Sequence, residues 1–371
     1  MTFAFSEEQQ ELRSTAARFL EEKSSSETVR ELMESDTGFD EATWKQLTDL
    51  GWTGMAIPEE YGGLGFGFVE LTILMEEMGR KLLPAPFLSS VILGANAILN
   101  AGTDAQRKEL LPGIAEGTTR ATLAFVEPSG KWELEGIQLQ ATESGSNWTL
   151  TGEKSYVLDG HTATLLVVAA RTGPDEISLF TVDPDASGVT RTRLETLDMT
   201  RKQAKIGFDS TPATLLGERG AGAEALTRTL DQAAAVLSAE MVGGAQACLD
   251  ASTSYAKERY QFGRPIGSFQ AIKHKCANML MEVEMARSAA YYAGWAAAED
   301  PEELSLAASL AKAYCSDAYF HAAAENIQIH GGIGFTWEHD AHLYFRRAKS
   351  SEIYLGDATY HRELVAQKLG V

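Results

Sequence analysis

The sequence predicts an α+β protein of several domains: helical first, all-β in the middle, helical again at the end. Three observations predict it. Apolar residues recur at three- and four-residue spacing from Ser6 to about Gly117, and short β-branched runs bounded by turn residues fill the stretch from about Arg120 to Leu216. Long alanine-rich helical patterns follow the linker Gly217-Glu218-Arg219-Gly220-Ala221-Gly222. With 371 residues, 44% of them hydrophobic, the chain is long enough for two or three cores, which excludes disorder as its dominant state. The expected segments are 1–119, 120–217 and 218–371.

The first segment opens on a Ser6-x-x-Gln9 capping box and continues through Leu12, Ala16, Phe19 and Leu20 on one helical face. Its glycine-rich interruption, Pro58 to Gly67, has no βαβ context and is read as a turn, not as a dinucleotide loop. In the second segment the runs Ala121–Val126, Trp148–Thr151, Ala163–Ala170 and Ile177–Val182 read as strands. Asn147-Trp148-Thr149 matches a glycosylation acceptor but is read as a turn entering a strand. The third segment predicts helices from about Ala223 to Tyr260, Gln270 to Ala298 and Leu304 to Ile329. Small residues such as Ala289-Ala290 and Ala322-Ala323-Ala324 let such helices approach closely in a four-helix-type bundle.

Charge narrows the function. There are 52 acidic and 32 basic residues, a formal net charge of −20, and a surface this acidic repels nucleic-acid phosphates and anionic membranes. Cys248, Cys276 and Cys315 form no CxxC, and His330, His339, His342 and His361 form no HxxxH or HExxH pattern, so neither a disulfide framework nor a metal site is expected. The N-terminus lacks a basic and apolar leader, and no apolar run approaches the roughly 18 residues that span a bilayer. A soluble, unprocessed protein of the reducing cytoplasm is expected.

Two segments carry chemistry: Glu258 to Gln270, containing Arg259-Tyr260-Gln261-Phe262-Gly263, and Gln328 to Thr336, containing Gln328-Ile329-His330-Gly331-Gly332. The first places an arginine and an amide where a helix ends in a glycine turn. The second ends a helix at a Gly-Gly step where backbone can approach a ligand. Both could contact a pyrophosphate; taken singly, Gly263, Gly331, Gly332 and Gly334 read equally as helix caps and Arg259 as a solvated charge. Together with Pro58–Gly65, Trp148–Gly160 and the rest of Gln328–Arg362, these segments resemble the acyl-CoA dehydrogenase family across essentially the whole chain.

The resemblance implies an N-terminal helical domain, a middle β-barrel and a C-terminal helical bundle. It implies FAD as cofactor and an acyl-CoA as substrate, oxidised to its trans-2-enoyl-CoA with an electron-transfer flavoprotein as acceptor. In that family a carboxylate takes the α-proton while the β-hydrogen leaves as hydride to the flavin. This chain departs from the pattern at the base. Leu355 stands where the commonest family glutamate is expected, and Ala233 or Ala234 where a minority of the family carries it; the nearby Asp357, Glu240 and Glu352 are read as solvated or structural. The flavin-ring segments are altered too, with Val126 before Glu127-Pro128, the turn Ser129-Gly130-Lys131-Trp132 in place of Gly-x-Gly-Ser-Asp, and Tyr156-Val157-Leu158 in place of Trp-x-Thr.

The residues that match the family's grip on a neighbouring subunit's FAD are kept: Arg259, Phe262, Gln328, Gly331 and Gly332, with Gln261 where threonine is common. The resulting expectation is a subunit without a catalytic residue of its own. It would complete the site of a homologous partner that carries the glutamate, in an α2β2 assembly similar to the heterotetramers that actinobacteria use on steroid side-chain CoA thioesters. The alternatives are a self-sufficient homotetrameric dehydrogenase with a relocated base, a flavin-dependent monooxygenase on the same fold, and a flavin-free structural pseudoenzyme.

Overall fold

The computed structural model describes residues 5–145 and 147–371. The first helices are α1 (Glu7–Lys23), α2 (Ser26–Glu34), α3 (Glu41–Asp49), α4 (Phe68–Arg80), α5 (Ala95–Ala101) and α6 (Asp104–Ala115). Strands follow as β1 (Ala121–Ala124), β2 (Gln140–Ser144), β3 (Asn147–Leu158), β4 (Leu165–Gly173), β5 (Glu176–Val182), β6 (Val189–Arg193) and β7 (Gln203–Leu216). The chain ends with α7 (Gly222–Glu258), the two-residue strands β8 (Tyr260–Gln261) and β9 (Arg264–Pro265), and helices α8 (Gln270–Glu299), α9 (Leu304–His330), α10 (Ala341–Ile353) and α11 (Ala358–Leu369).

Packing divides the chain into two compact units that cut across the three sequence segments. One holds residues 1–31, 68–83 and 234–371; the other holds 32–67 and 84–233. The N-terminal helices are therefore shared out, α1 and α4 to the first unit and α3, α5 and α6 to the second.

In the second unit the strands close on themselves. β4 pairs β2, β2 pairs β3, β3 pairs β7, β7 pairs β5, and β5 returns to β4, while β1 and β6 add to β4 and β7. This ring is the expected barrel, and closure removes the free edges an open sheet would leave. Its interior holds Leu150, Val157, Leu166, Val168, Phe180 and Ile206, with Trp148 against Phe180 at 5.3 Å. Asn147 opens β3, as the turn-into-strand reading requires. The glycine-rich stretch after Pro58 forms a short 3-10 turn, Glu59–Tyr61.

A buried ion pair sits in this unit. Glu127 Oε1 accepts from Lys154 Nζ at 2.8 Å and from the backbone N–H groups of Gln138 and Leu139 at 2.8 Å each. Lys154 Nζ also donates to the Phe125 carbonyl at 3.1 Å, and burial pulls the lysine down to about 8 despite Glu127.

In the first unit α8 and α9 pair antiparallel. Lys275 meets Glu325 at 2.6 Å, Glu282 meets His321 at 2.5 Å, and the Ala286 carbonyl meets Cys315 Sγ at 3.4 Å. Helix α1 begins on the predicted capping box, with Ser6 accepting from the Gln9 N–H and Gln9 returning to the Ser6 N–H. The expected helix to Tyr260 is corrected: α7 stops at Glu258, because Tyr260 pairs with Pro265 in a β-hairpin.

Truncating Glu127 leaves the Lys154 amine buried in a closed barrel without the carboxylate that stabilises its charge. Glu127→Ala is expected to cost about 3–5 kcal/mol of unfolding free energy, and Lys154→Met added to it is expected to restore a large part. Urea unfolding of both variants checks this; equal losses would contradict it.

Candidate functional site

The end of α7 is built around a tight turn. Phe262 and Gly263 have φ of 52° and 77°, the consecutive positive values a type I′ hairpin turn requires. The turn thrusts the Phe262 side chain into solvent, 93% exposed, edge-on to Phe269 with ring centroids 6.0 Å apart. Arg264 braces the other side, its guanidinium 4.1 Å above the Phe269 ring. Helix α9 ends at Gly331, φ 65°, and passes into a 3-10 turn, Gly331–Phe335.

Two contacts bring these ends together. Ser252 Oγ donates to Asn326 Oδ1 at 2.9 Å, and the Tyr255 and His330 rings lie 4.3 Å apart. The residue numbers rise together, so α7 and α9 run in parallel here and finish at the same end; α8, antiparallel to α9, starts there. Arg259, Gln261, Phe262, Gln328, Gly331 and Gly332, far apart in sequence, thus collect at one end of the unit. All are exposed except Gly331, which is half-buried.

This end fits a diphosphate. Among the described residues, neither the Arg259 guanidinium nor the Gln328 amide has a protein partner, so both donors are available. Gln261 turns one donor back onto the Tyr260 carbonyl at 2.8 Å. A Cβ at Gly331 or Gly332 would meet nothing within 4 Å, so packing within the chain does not demand these glycines. Helix α8 begins at Gln270 with no side-chain cap from Phe269, leaving the positive end of its dipole at the same place. The sequence did not single out Tyr255, Arg264 or Phe269. The available signal for Tyr255 was its place one helical turn before Arg259.

The segment around Leu355 is held by main-chain acceptors. Leu355 is buried with φ 63°, and its carbonyl accepts from His361 Nε2 at 2.9 Å. Buried Lys312 donates to the carbonyls of Glu352 and Gly356 at 3.0 and 2.8 Å. The neighbouring carboxylates are engaged elsewhere. Asp357 caps α11 by accepting the Tyr360 N–H at 2.8 Å, Glu352 pairs with Lys349 at 3.0 Å, and buried Glu240 pairs with Arg347 at 2.8 Å. Ala233 and Ala234 are buried.

In the barrel unit Val126 and Leu158 are also buried. The Val126 carbonyl accepts the Ser155 N–H at 2.8 Å, and the Leu158 carbonyl accepts the Thr122 hydroxyl at 2.6 Å. Tyr156 is 43% exposed with φ 57°, and Trp132 folds back to 5.7 Å from Phe125.

Comparison with known proteins gives a consistent answer along the chain. Family models match for the acyl-CoA dehydrogenase N-terminal domain over residues 6–118, the middle domain over 122–211 and the C-terminal domain over 220–370. Acyl-CoA dehydrogenase IpdE2 of Mycolicibacterium smegmatis is 34% identical over 352 residues, covering 95% of each chain. The Tcur3481–Tcur3483 steroid acyl-CoA dehydrogenase superposes with a TM-score of 0.89 at 34% identity, over 98% of this chain and 99% of that one. A chain of the ChsE4–ChsE5 complex from Mycobacterium tuberculosis gives a TM-score of 0.91 at 28% identity, over 100% and 99%.

His361 couples the Leu355 turn to pH. Burial, reinforced by the Lys312 charge, lowers its imidazole from 6.5 to about 4. Between those values the unfolded chain binds a proton that the folded chain does not, so stability falls as pH drops from 6.5 to 4, by up to roughly 3 kcal/mol. His361→Gln is expected to remove that part of the slope in urea unfolding followed across this window. An unchanged slope would refute the assignment.

Proposed function

The chain belongs to the acyl-CoA dehydrogenase family, and from that premise we propose that it is one subunit of a heteromeric FAD-dependent acyl-CoA dehydrogenase. It completes the flavin site of a homologous partner, and the partner supplies the glutamate base. One observation carries this reading: Arg259 and Gln328, with Phe262 beside them, stand exposed and unengaged at one end of the unit, whereas position 355 holds a buried leucine. A leucine accepts no proton. Donors without an acceptor in their own chain are suited to an acceptor brought by another.

In this reading Arg259 and Gln328 donate to the FAD diphosphate, and Gly331 and Gly332 let it approach the backbone closely, with Gln261 and Phe262 on the adjoining hairpin. Bound FAD accepts the hydride from the acyl β-carbon. The α-proton goes to the partner's carboxylate, since Leu355, Ala233 and Ala234 offer none. The segments 1–119, 120–217 and 218–371 are the three modules of the family.

The assembly is α2β2 with two flavins, and an electron-transfer flavoprotein takes the electrons in the cytoplasm. Among the described residues no helix is long and apolar enough to cross a membrane. The names of the similar proteins support a steroid side-chain CoA thioester as substrate, since one solved relative is a steroid acyl-CoA dehydrogenase and another is a two-protein complex.

The test is to purify the chain alone and together with a co-encoded homologue that carries the glutamate, and to record flavin absorbance and thioester oxidation. The lone chain is expected to be nearly colourless and inactive, and the complex to hold two FAD per tetramer. A flavin-replete, active lone chain, or four FAD per tetramer, would overturn the proposal.

Within the complex, Arg259→Ala removes a charge-assisted contact worth about 1–3 kcal/mol, or roughly 5- to 150-fold in FAD affinity. The tetramer should persist, because the contacts that join α7 to α9 here, Ser252 with Asn326 and Tyr255 with His330, do not involve the Arg259 guanidinium. Undiminished FAD affinity would mean that the site is not shared in this way.

A further inference from the structure

Beneath the exposed donors lies a layer of rings that the proposed chemistry does not use. Tyr255, His330 and His339 form a series of tilted ring contacts: Tyr255 to His330 at 4.3 Å between centroids with 30° between planes, and His330 to His339 at 4.3 Å with 48°. His330 is buried and donates from Nδ1 to the Asn326 carbonyl at 2.8 Å, which fixes its tautomer. The Asn326 side chain in turn accepts from Ser252 at 2.9 Å. Ser252 and Tyr255 lie on α7, and Asn326 and His330 on α9, so the contacts form a closed circuit within one turn of each helix.

Two members of the circuit, Tyr255 and His330, are tied to residues of the grip. The Arg259 N–H donates to the Tyr255 carbonyl at 2.8 Å, so where Tyr255 sits decides where Arg259 begins. Gln328 lies two residues before His330, and Gly331 directly follows it. On the far side of the stack, His339 Nδ1 accepts the Ala341 N–H at 3.1 Å at the start of α10. The Gly331–Phe335 turn thereby lies between two imidazoles in tilted contact, His330 directly before it and His339 four residues beyond it.

We infer that the Tyr255–His330–His339 stack, locked by the Ser252–Asn326 bond, sets the spacing between the Arg259 and Gln328 donors. His330 is then a positioning residue for the diphosphate of a bound FAD; this rests on the shared-flavin reading above. The ring at this position packs against Tyr255 and His339, and its Nδ1–H adds the bond to the Asn326 carbonyl. Leucine can do neither, and phenylalanine can only stack.

The experiment measures FAD dissociation constants of the assembled complex by flavin fluorescence, alongside thermal midpoints. His330→Leu is expected to weaken FAD about tenfold without loss of assembly, and His330→Phe, which keeps the stack, to recover most of that affinity. In a complex already carrying Arg259→Ala and Gln328→Ala, His330→Leu should cost nothing further, because its effect runs through those two donors. Tyr255→Leu removes a ring from the other helix and should weaken FAD similarly; it replaces His330→Leu if that variant does not assemble.

Unchanged affinity in His330→Leu, or the same tenfold loss in the donor-less background, overturns the positioning role and leaves the shared-flavin reading standing. Unchanged affinity in the Arg259→Ala, Gln328→Ala complex itself overturns both.

Discussion

In the first unit α4 and α7 touch backbone to backbone, and the rest of that unit is arranged around the crossing. A Cβ at Gly79 would lie 2.0 Å from the Glu240 carbonyl oxygen, and one at Gly243 would lie 1.8 Å from the Glu76 carbonyl oxygen. The relation is reciprocal: each helix offers a glycine to the other's glutamate backbone, three residues from its own. The two glutamate side chains leave the crossing as buried carboxylates and gather the remaining helices. Glu76 takes Arg13 of α1 at 2.7 Å, Arg287 of α8 at 3.2 Å and the Tyr291 hydroxyl at 2.5 Å, while Glu240 takes Arg347 of α10 at 2.8 Å. Such pairs add little over an apolar core, but breaking one strands a buried charge, so together they fix which helix lies where.

That rigidity bears on the flavin reading because α7 carries its consequence outward. From Gly243 the helix runs on through Ser252 and Tyr255 to Arg259, and the α9 contacts at Asn326 and His330 steady its last turns. The interior charges Glu76, Glu240 and Lys312 are paired or hydrogen-bonded, whereas Arg259 and Gln328 at this end are exposed and idle. The difference follows from geometry. The hairpin turn at Phe262-Gly263 and the turn after Gly331 lead the chain away from both helix ends, leaving no element to cover them.

Much of this was legible in the sequence, and what was not has identifiable causes. The Ser6 capping box, the three long C-terminal helices and the β-branched runs of the barrel depend on local spacing, and each formed within a few residues of its expected position except the run at Trp148–Thr151, whose strand continues to Leu158. The glycine turn after the helix was visible, but the hairpin at Tyr260–Pro265 was not, because it needs a positive φ at Phe262 as well as at Gly263, which a phenylalanine does not signal. The buried Lys154–Glu127 pair was not foreseen, since burial of both depends on strands and loops far apart in sequence. The Arg259 and Gln328 motifs were visible as local strings, but the ring layer beneath them joins positions 75 residues apart. The split into two units that interleave along the chain has no local signature at all.

The turn around Leu355 shows how one site could be lost while another is kept. Its shape is fixed by buried groups that bind main-chain carbonyls: Lys312 on those of Glu352 and Gly356, His361 on that of Leu355, with Asp357 capping the helix that follows. None of these contacts involves the residue-355 side chain. The left-handed backbone there, a cost of order 1–3 kcal/mol for a non-glycine residue, is therefore sustained whatever side chain it carries. A leucine at 355 offers no proton acceptor and leaves the frame undisturbed, and none of the contacts that Lys312, His361 and Asp357 make here passes through Arg259 or Gln328. On the shared-flavin reading, base and grip are separate devices on one scaffold, so a chain can give up the first and still serve a partner with the second.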